Sequence, residues 1–352
     1  MRAPAFWQAP LPGQPRPWLG RCALLTLWPL SLLMRLLVRL RQGLYLSGMF
    51  KRHAAPVLVI VVGNVVAGGG GKTPTVIALV EHLRARGLKP GVISRGYGRR
   101  KSARGEDCRE VRPDSPVDQV GDEPALIRRR TGVPVFVARQ RIEAARALLA
   151  AHPEVNILVS DDGLQHLALA RDIEVCVFGD RGLGNGLLLP AGPLREPWPR
   201  YVDLVLHTGQ RPAFTGHAAR RALASTGVDA NGRGIALDKL QGPLVAVAGT
   251  AQPQAFFDML RDRGLTLARV DALPDHADPS DYAHWHAELQ QEFATNPVTV
   301  LCTEKDAFKL WTVCPGALAV PLVFELPQAF LDEFDRLLHA AFAAHLSSAY
   351  TH

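Results

Sequence analysis

Seven consecutive residues, Ala67-Gly68-Gly69-Gly70-Gly71-Lys72-Thr73, combine backbone freedom, a cation and a hydroxyl in one short run. Glycines let successive backbone N–H groups turn inward around anionic oxygens, and a helix that starts there adds its positive end to the same cavity. A lysine closing such a loop reaches β- and γ-phosphates, and the following threonine hydroxyl suits Mg²⁺. The run follows an apolar, β-branched stretch at residues 56–62 and opens a helical pattern at 75–86. That is the strand, loop and helix context a phosphate loop requires. Val66 stands where the usual GxxxxGK[ST] pattern has its first glycine, so a plain Gly-rich turn is the competing reading. The Gly-Lys-Thr ending weighs against it. The expected nucleotide set is Val66, Ala67, Gly68, Gly69, Gly70, Gly71, Lys72 and Thr73.

Carboxylates supply the other half of phosphoryl chemistry. Asp161-Asp162 follow a second apolar run, 155–159, and an acid at the end of a buried strand is the usual metal-side group in such proteins. Thr73, Asp161 and Asp162 are the expected Mg²⁺ set; a turn with Asp as a helix cap is the alternative. Gln165-His166 complete the run DDGLQH, where His166 either orders the site or satisfies backbone groups. Asp122, in Gly121-Asp122-Glu123-Pro124, reads on its own as a helix N-cap. Asp275-His276 alone reads as a polar loop. An acceptor hydroxyl nevertheless needs an oriented proton acceptor, and a carboxylate paired with a histidine meets that need.

The elements that must position these groups alternate. Strands are expected at 56–62, 90–94, 133–137, 155–159, 173–178, 244–248 and 298–302, and helices at 75–86, 123–130, 141–151 and 328–344. Alternation of this kind implies an α/β fold with a mostly parallel sheet and helices on both faces. Residues 99–117, 185–199 and 271–286 read as loops. We place an N-terminal basic segment at 1–50, a nucleotide-binding core at 51–235 and a smaller C-terminal α/β domain at 236–352.

Composition narrows the class. The 352 residues are 47% hydrophobic and 21% charged, which excludes a disordered chain. Five scattered cysteines without a CxxC pair argue against a disulfide framework or a zinc site. The net charge of +7 is concentrated at the start: nine Lys or Arg and no Asp or Glu precede Glu81. A basic segment of this kind seeks an anionic surface. Leu32, Leu33, Leu36, Leu37, Leu40 and Leu44 recur at helical spacing, with Arg35 and Arg39 on the other side. That pattern suits a helix lying in a lipid interface; the alternative is a helix docked on the protein's own core. The basic residues are interleaved with leucine rather than stacking aromatics, against nucleic acid. No small-residue cleavage site follows, so no removed signal peptide is read.

Taken together, VGNVVAGGGGKTP (Val62–Pro74), SRGYG (Ser94–Gly98), GDEP (Gly121–Pro124), DDGLQH (Asp161–His166), LPAGPLREP (Leu189–Pro197), PDH (Pro274–His276) and TEKDAFK (Thr303–Lys309) resemble the tetraacyldisaccharide 4'-kinase family of lipid A biosynthesis. The resemblance implies transfer of the ATP γ-phosphate to the 4'-hydroxyl of a tetraacylated glucosamine disaccharide phosphate. It implies ATP and Mg²⁺ at Lys72 and Thr73, Asp122 as base with His276 as its partner, Asp161 and Asp162 on the metal side, and Arg195 and Glu196 as lipid-site or loop-ordering residues. It also implies a monotopic protein on the cytoplasmic face of the inner membrane, with a lipid-linked sugar and the membrane surface as partners and no obligate protein partner. Gly70 and Ala67 depart from the family's loop, which commonly has a hydroxyl residue and a bulkier one there. Two rival classes remain: a soluble P-loop kinase or synthetase for a small molecule, and a nucleotide-driven membrane switch. The switch class carries a second lysine near the loop start, where this chain has Ala67.

Overall fold

The computed structural model describes residues 18–68, 70–100, 107–209, 214–250, 252–275, 277–294 and 297–349, with Pro4, Trp7 and Pro212 besides. Two compact units emerge: one runs up to Arg220 and resumes at Glu325, the other is Arg221–Phe324.

The first unit holds α1 (Trp18–Leu46), β1 (Leu58–Gly63), α2 (Lys72–Ala85), β2 (Pro90–Ser94), β3 (Arg109–Glu110), α3 (Val117–Val120), α4 (Asp122–Thr131), β4 (Val135–Val137), α5 (Arg141–Ala151), β5 (Ile157–Asp161), β6 (Ile173–Phe178), β7 (Leu204–His207) and β8 (His217–Ala218). Its eight strands lie in the order β3-β4-β2-β5-β1-β6-β7-β8. Only β3 runs antiparallel to its neighbour. Every residue of β1 is buried, because a central parallel strand is covered on both faces and shows no alternation. Val59 and Val61 join α5's Ile142, Ala145 and Leu148 in one cluster. Leu58, Ile60 and Val62 point to the opposite face, and α2 also packs on β1, β2 and β5.

Strand β5 ends two residues later than the sequence pattern suggests, so Asp161 belongs to the strand. Its register partner is Val62, at the end of β1. Ser160 pairs with Ile93, which places Ser94 at the same level on β2. Three strand ends therefore converge where ligands collect in parallel sheets.

Helix α1 extends well before the leucine-rich pattern and carries Pro29 inside it. It seats a narrow stripe on the first unit. Ser31 is 5% exposed, and Met34 and Val38 pack on the core. Leu25, Trp28, Leu32, Leu33, Leu36, Leu37 and Leu40 remain exposed. Among the described residues no helix is long and apolar enough to cross a membrane.

The second unit contains β9 (Arg220–Leu223), β10 (Thr226–Val228), β11 (Gly234–Ala236), β12 (Leu244–Ala248), α6 (Pro253–Asp262), β13 (Leu267–Ala272), α7 (Pro279–Glu292), β14 (Thr299–Thr303), α8 (Glu304–Leu310), β15 (Leu318–Val320) and β16 (Leu322–Glu325). Six of them form a mixed sheet, β11-β10-β15-β14-β12-β13. The expected boundary near residue 235 falls inside this unit, since β10 and β11 pair with each other and β10 extends the sheet along β15. The expected loop at 271–286 contains the end of β13 and the start of α7. Helix α9 (Gln328–Ala349), expected in the C-terminal domain, belongs to the first unit and buries Phe330 and Phe334 completely.

Candidate active site

The glycine loop is shaped by close approach. Gly71 caps α2 in the left-handed region at φ 80°, and a Cβ there would lie 2.7–2.9 Å from Thr208. Thr208 Oγ1 donates to Gly70 O at 2.9 Å, and Thr75 Oγ1 donates to Gly71 O at 2.8 Å. Asn64, 2% exposed, spans the loop: its Nδ2 donates to Gly68 O at 3.3 Å and its Oδ1 accepts from Lys72 Nζ at 3.5 Å. Lys72 is the first residue of α2.

Val66 and Ala67, expected in the nucleotide set, are both tied to residues 193–194. Val66 is 8% exposed and bridges Leu194. Ala67 donates its N–H to Pro193 O at 2.7 Å, so that amide is committed to protein. Backbone pairing here replaces the freedom of the missing first glycine. Gly70 is buried in the loop and Gly68 is exposed at its start; Gly69 lies outside the described residues.

Asp161 and Asp162 diverge. Asp162 adopts φ 47°, the sole positive-φ non-glycine among the described residues, and aspartate tolerates that region better than most. The twist sends the two carboxylates in different directions. Asp162 accepts from Arg195 at 2.9 and 3.0 Å and faces Lys72 Nζ at 3.7 Å. Burial alone would raise its pKa, but Lys72 and Arg195 outweigh that and hold it below the ordinary value. Asp161 is 4% exposed. Its Oδ2 accepts from Ser94 Oγ at 3.2 Å, while its Oδ1 is buried with no hydrogen-bond partner. Burial, then Glu123 and Asp162, push its pKa up to about 7.

Those features fit a divalent cation. The donor set is hard oxygen, the orphaned Oδ1 lacks a donor, and surrounding acids keep the carboxylate from ionising easily without a positive charge. Among the described residues no trio of His, Cys, Asp or Glu is arranged to hold a metal. Mg²⁺ ordinarily takes one or two protein ligands and completes its shell with water and substrate phosphates, so the bare Asp161 carboxylate oxygen is compatible with it.

Arg141, 3% exposed, fixes the turn from behind. It donates to Asp161 O at 3.0 Å, Asp162 O at 3.3 Å and Ala138 O at 3.4 Å. Burial lowers its pKa to about 10. His166 Nε2 accepts from the Arg141 backbone N–H at 3.3 Å. Burial, then the cations Arg141 and Arg171, lower the His166 pKa to about 4. His166 is thus a neutral acceptor that orders the turn.

Asp122 is 5% exposed and is the first residue of α4. The cap is Gly121, at φ 96° and ψ 152°, and no side chain caps that helix. Asp122, read from the sequence as the cap, thus stands one residue inside the helix. Gly121 is required there: a Cβ would meet Tyr97 O at 3.0 Å and Gly96 Cα at 3.2 Å. GDEP and SRGYG thus pack backbone to backbone. This holds Asp122 and Glu123 near the strand ends, where Glu123 raises Asp161.

Arg195 clamps Asp162 and touches Gln165 Oε1 at 3.3 Å. Glu196, 2% exposed, accepts from Gln165 Nε2 at 2.6 Å, Gln42 Nε2 at 3.2 Å and Arg200 at 3.4 Å. Both residues are tied to Gln165. His276 lies outside the described residues; its neighbour Asp275 pairs with Lys305 at 3.6 Å in the second unit. Sequence reasoning gives no role to Asn64, Ser94, Glu123 or Arg141. Three of them sat within quoted motifs, and the adjacent acids of GDEP were the signal for Glu123; nothing in the sequence marked Arg141 as buried.

The family described as Tetraacyldisaccharide-1-P 4'-kinase matches residues 23–339. A protein named Tetraacyldisaccharide 4'-kinase from Acidovorax sp. (strain JS42) is 55% identical over 339 residues, covering 93% of this chain and 97% of its own. One of the same name from Polaromonas naphthalenivorans (strain CJ2) is 55% identical over 338 residues, 92% of each chain. Among solved structures, the LpxK of Aquifex aeolicus crystallised in complex with ATP has a TM-score of 0.74 at 26% identity, covering 91% of this chain and 99% of that one. With its glycine loop, paired strand-end aspartates and near-full-length similarity, the chain belongs to the tetraacyldisaccharide-1-P 4'-kinase family.

Proposed function

We propose that this chain transfers the γ-phosphoryl group of ATP to the 4'-hydroxyl of a tetraacylated glucosamine disaccharide 1-phosphate in lipid A biosynthesis, with the residue roles that follow. One observation carries the reading: Lys72 opens α2 with Asp162 facing it at 3.7 Å, and Asp161 ends the adjacent strand with a buried, unpartnered oxygen. Gly68–Gly71 and Lys72 hold the β- and γ-phosphates. Mg²⁺, when bound, would offset phosphate charge at Asp161 and the Thr73 hydroxyl. Asp162 orients the lysine, and Arg195 orients Asp162. Asp122 takes the proton from the sugar hydroxyl as its oxygen bonds to the γ-phosphorus, and the bond to the ADP oxygen breaks with its electron pair leaving on ADP. His276 keeps, as part of this proposal, the role that the resemblance gives it. Catalysis on this account is positioning and charge stabilisation.

The exposed leucines of α1 and the basic start of the chain support a lipid surface as the working place, on the cytoplasmic face of the inner membrane. A contiguous apolar patch on an otherwise polar exterior marks such a contact. Each leucine entering an apolar phase contributes about 1.5–3 kcal/mol, so replacing Leu36 and Leu40 together by Glu is expected to weaken vesicle binding by about tenfold or more. Vesicle co-sedimentation measures this. The activity is tested by incubating the protein with γ-labelled ATP and the disaccharide lipid in vesicles. Label in the lipid phase supports the kinase reading; label released only as free phosphate overturns it.

A further inference from the structure

We propose that Gln42 and Glu196 form a positioning joint through which the seating of α1 sets the pose of Lys72. The proposal rests on the kinase reading above and adds a coupling between the lipid-facing helix and the nucleotide loop.

Glu196 is one of the most buried charged groups in the first unit, at 2% exposed. It gathers donors from three separate places: Gln42 on α1, Gln165 in the turn after β5, and Arg200 beyond it. Arg200 is itself anchored by Glu174 of β6, which also holds Arg171 at 2.9 Å. Gln165 carries the path onward. Its Nε2 also donates to Asn64 O at 2.9 Å, at the root of the glycine loop, and its Oε1 accepts from Arg195. Arg195 clamps Asp162, and Asp162 faces Lys72. The path from α1 to the lysine is thus an unbroken series of polar contacts.

A second route runs beside it through backbone. Ser31 Oγ on α1 donates to Leu188 O at 2.9 Å. Residues 188–196 then pair with the loop: Arg195 N–H donates to Val65 O at 2.7 Å, Ala67 N–H donates to Pro193 O at 2.7 Å, and Leu194 bridges Val66. The segment is held between α1 on one side and the glycine loop on the other. Helix α1 contacts the unit through few residues, Ser31, Met34, Val38 and Gln42 among them, while its leucine face is exposed. Any change in the helix's tilt or depth is therefore delivered through these contacts. Such a coupling is reciprocal: lipid seating tightens nucleotide binding, and nucleotide tightens lipid seating.

The test compares wild type with Gln42→Met, which keeps the volume and removes the donor, and Gln42→Lys, which restores a donor toward Glu196. Binding of a fluorescent ATP analogue with Mg²⁺ is measured with and without vesicles of phosphatidylglycerol and phosphatidylethanolamine. Losing one link of this kind changes affinity by about three- to tenfold. Vesicles are expected to tighten analogue binding by about that factor in wild type and Gln42→Lys. In Gln42→Met the gain disappears and KM for ATP rises, while vesicle co-sedimentation and KM for the lipid acceptor stay within about twofold. An unchanged vesicle-dependent gain in Gln42→Met overturns the proposal, as does a wild type whose analogue affinity ignores vesicles. A merely structural Gln42 would lower the melting temperature without abolishing the gain. Phosphate transfer by wild type tests the kinase reading separately, and the binding arm decides the coupling whichever way that falls.

Discussion

Asp161 of the first unit and Asp306 of the second are both aspartates within motifs of the family, both nearly inaccessible to water, and both raised in pKa by burial. They differ in their neighbours. Asp306 Oδ1 accepts from Tyr282 Oη at 2.5 Å and its Oδ2 accepts from Thr303 Oγ1 at 2.6 Å; its own N–H returns to Thr303 at the start of α8. Gly249 makes room for this, since a Cβ there would sit 2.6 Å from Tyr282 Oη. Asp161 has a single hydroxyl partner, a bare Oδ1 and two further acids nearby. A satisfied buried carboxylate holds structure together, whereas an unsatisfied one is kept for a ligand. On the proposed reading, Asp306 belongs to the framework of its unit and Asp161 to the chemistry.

Substitutions sharpen the contrast in order of expected effect. Asp122→Asn removes the proposed base and is expected to lower kcat by about 10²–10⁴. Its melting temperature is to be measured beside turnover, since Asp122 is buried at the start of α4. A drop in stability with normal turnover would return Asp122 to a framework role. Asp161→Asn is expected to lower kcat by about 10²–10³, the range for one lost electrostatic contact to the reacting phosphate, while making the protein free of metal and nucleotide no less stable. Asp306→Ala should do the reverse. It removes the acceptor shared by the Tyr282 and Thr303 hydroxyls, costing about 2–4 kcal/mol of stability, with kcat per folded molecule intact. Urea unfolding beside steady-state kinetics separates the two signatures, and equal behaviour of the two variants would dissolve the comparison.

A subtler consequence concerns pH. Asp161 titrates near 7 when folded and near 4 when unfolded. Between those values the folded protein holds the extra proton, so this group's contribution is fully present below about 4 and is lost as pH rises to about 7. The loss is on the order of 2–4 kcal/mol. Urea titrations at several pH values, without metal or nucleotide, should show that slope in wild type and a flatter one in Asp161→Asn.

The sequence revealed the phosphate loop and the order of the first unit's central elements because their signals are local. Glycines, lysine and a β-branched run announce a strand, loop and helix without reference to the rest of the chain. The edge of β5 was misjudged because Ser160 and Asp161 are polar, and apolar runs are the only sign of a strand buried on both faces. Helix α1 was read short because Pro29 ordinarily disfavours a helix interior by about 3 kcal/mol. Leu32, Leu33, Leu36, Leu37 and Leu40 are exposed, but which stripe meets the protein depends on Ser31 and Gln42, polar residues with no periodic signature. Arg141 looked like an ordinary charged helix start. Its burial arises from two carbonyls, those of Asp161 and Asp162, that no pattern in the chain predicts. The short strands β8 to β11 carry too few residues to show a period.

Lys72 offers the most direct trial of the account, which holds that the glycine loop, closed by this lysine, grips the terminal phosphates of ATP. Transfer of γ-label to the disaccharide lipid by Lys72→Ala should be measured beside its melting temperature. The account predicts a fold that melts near the wild-type temperature with transfer reduced by about 10²–10³; full transfer by that variant would contradict it.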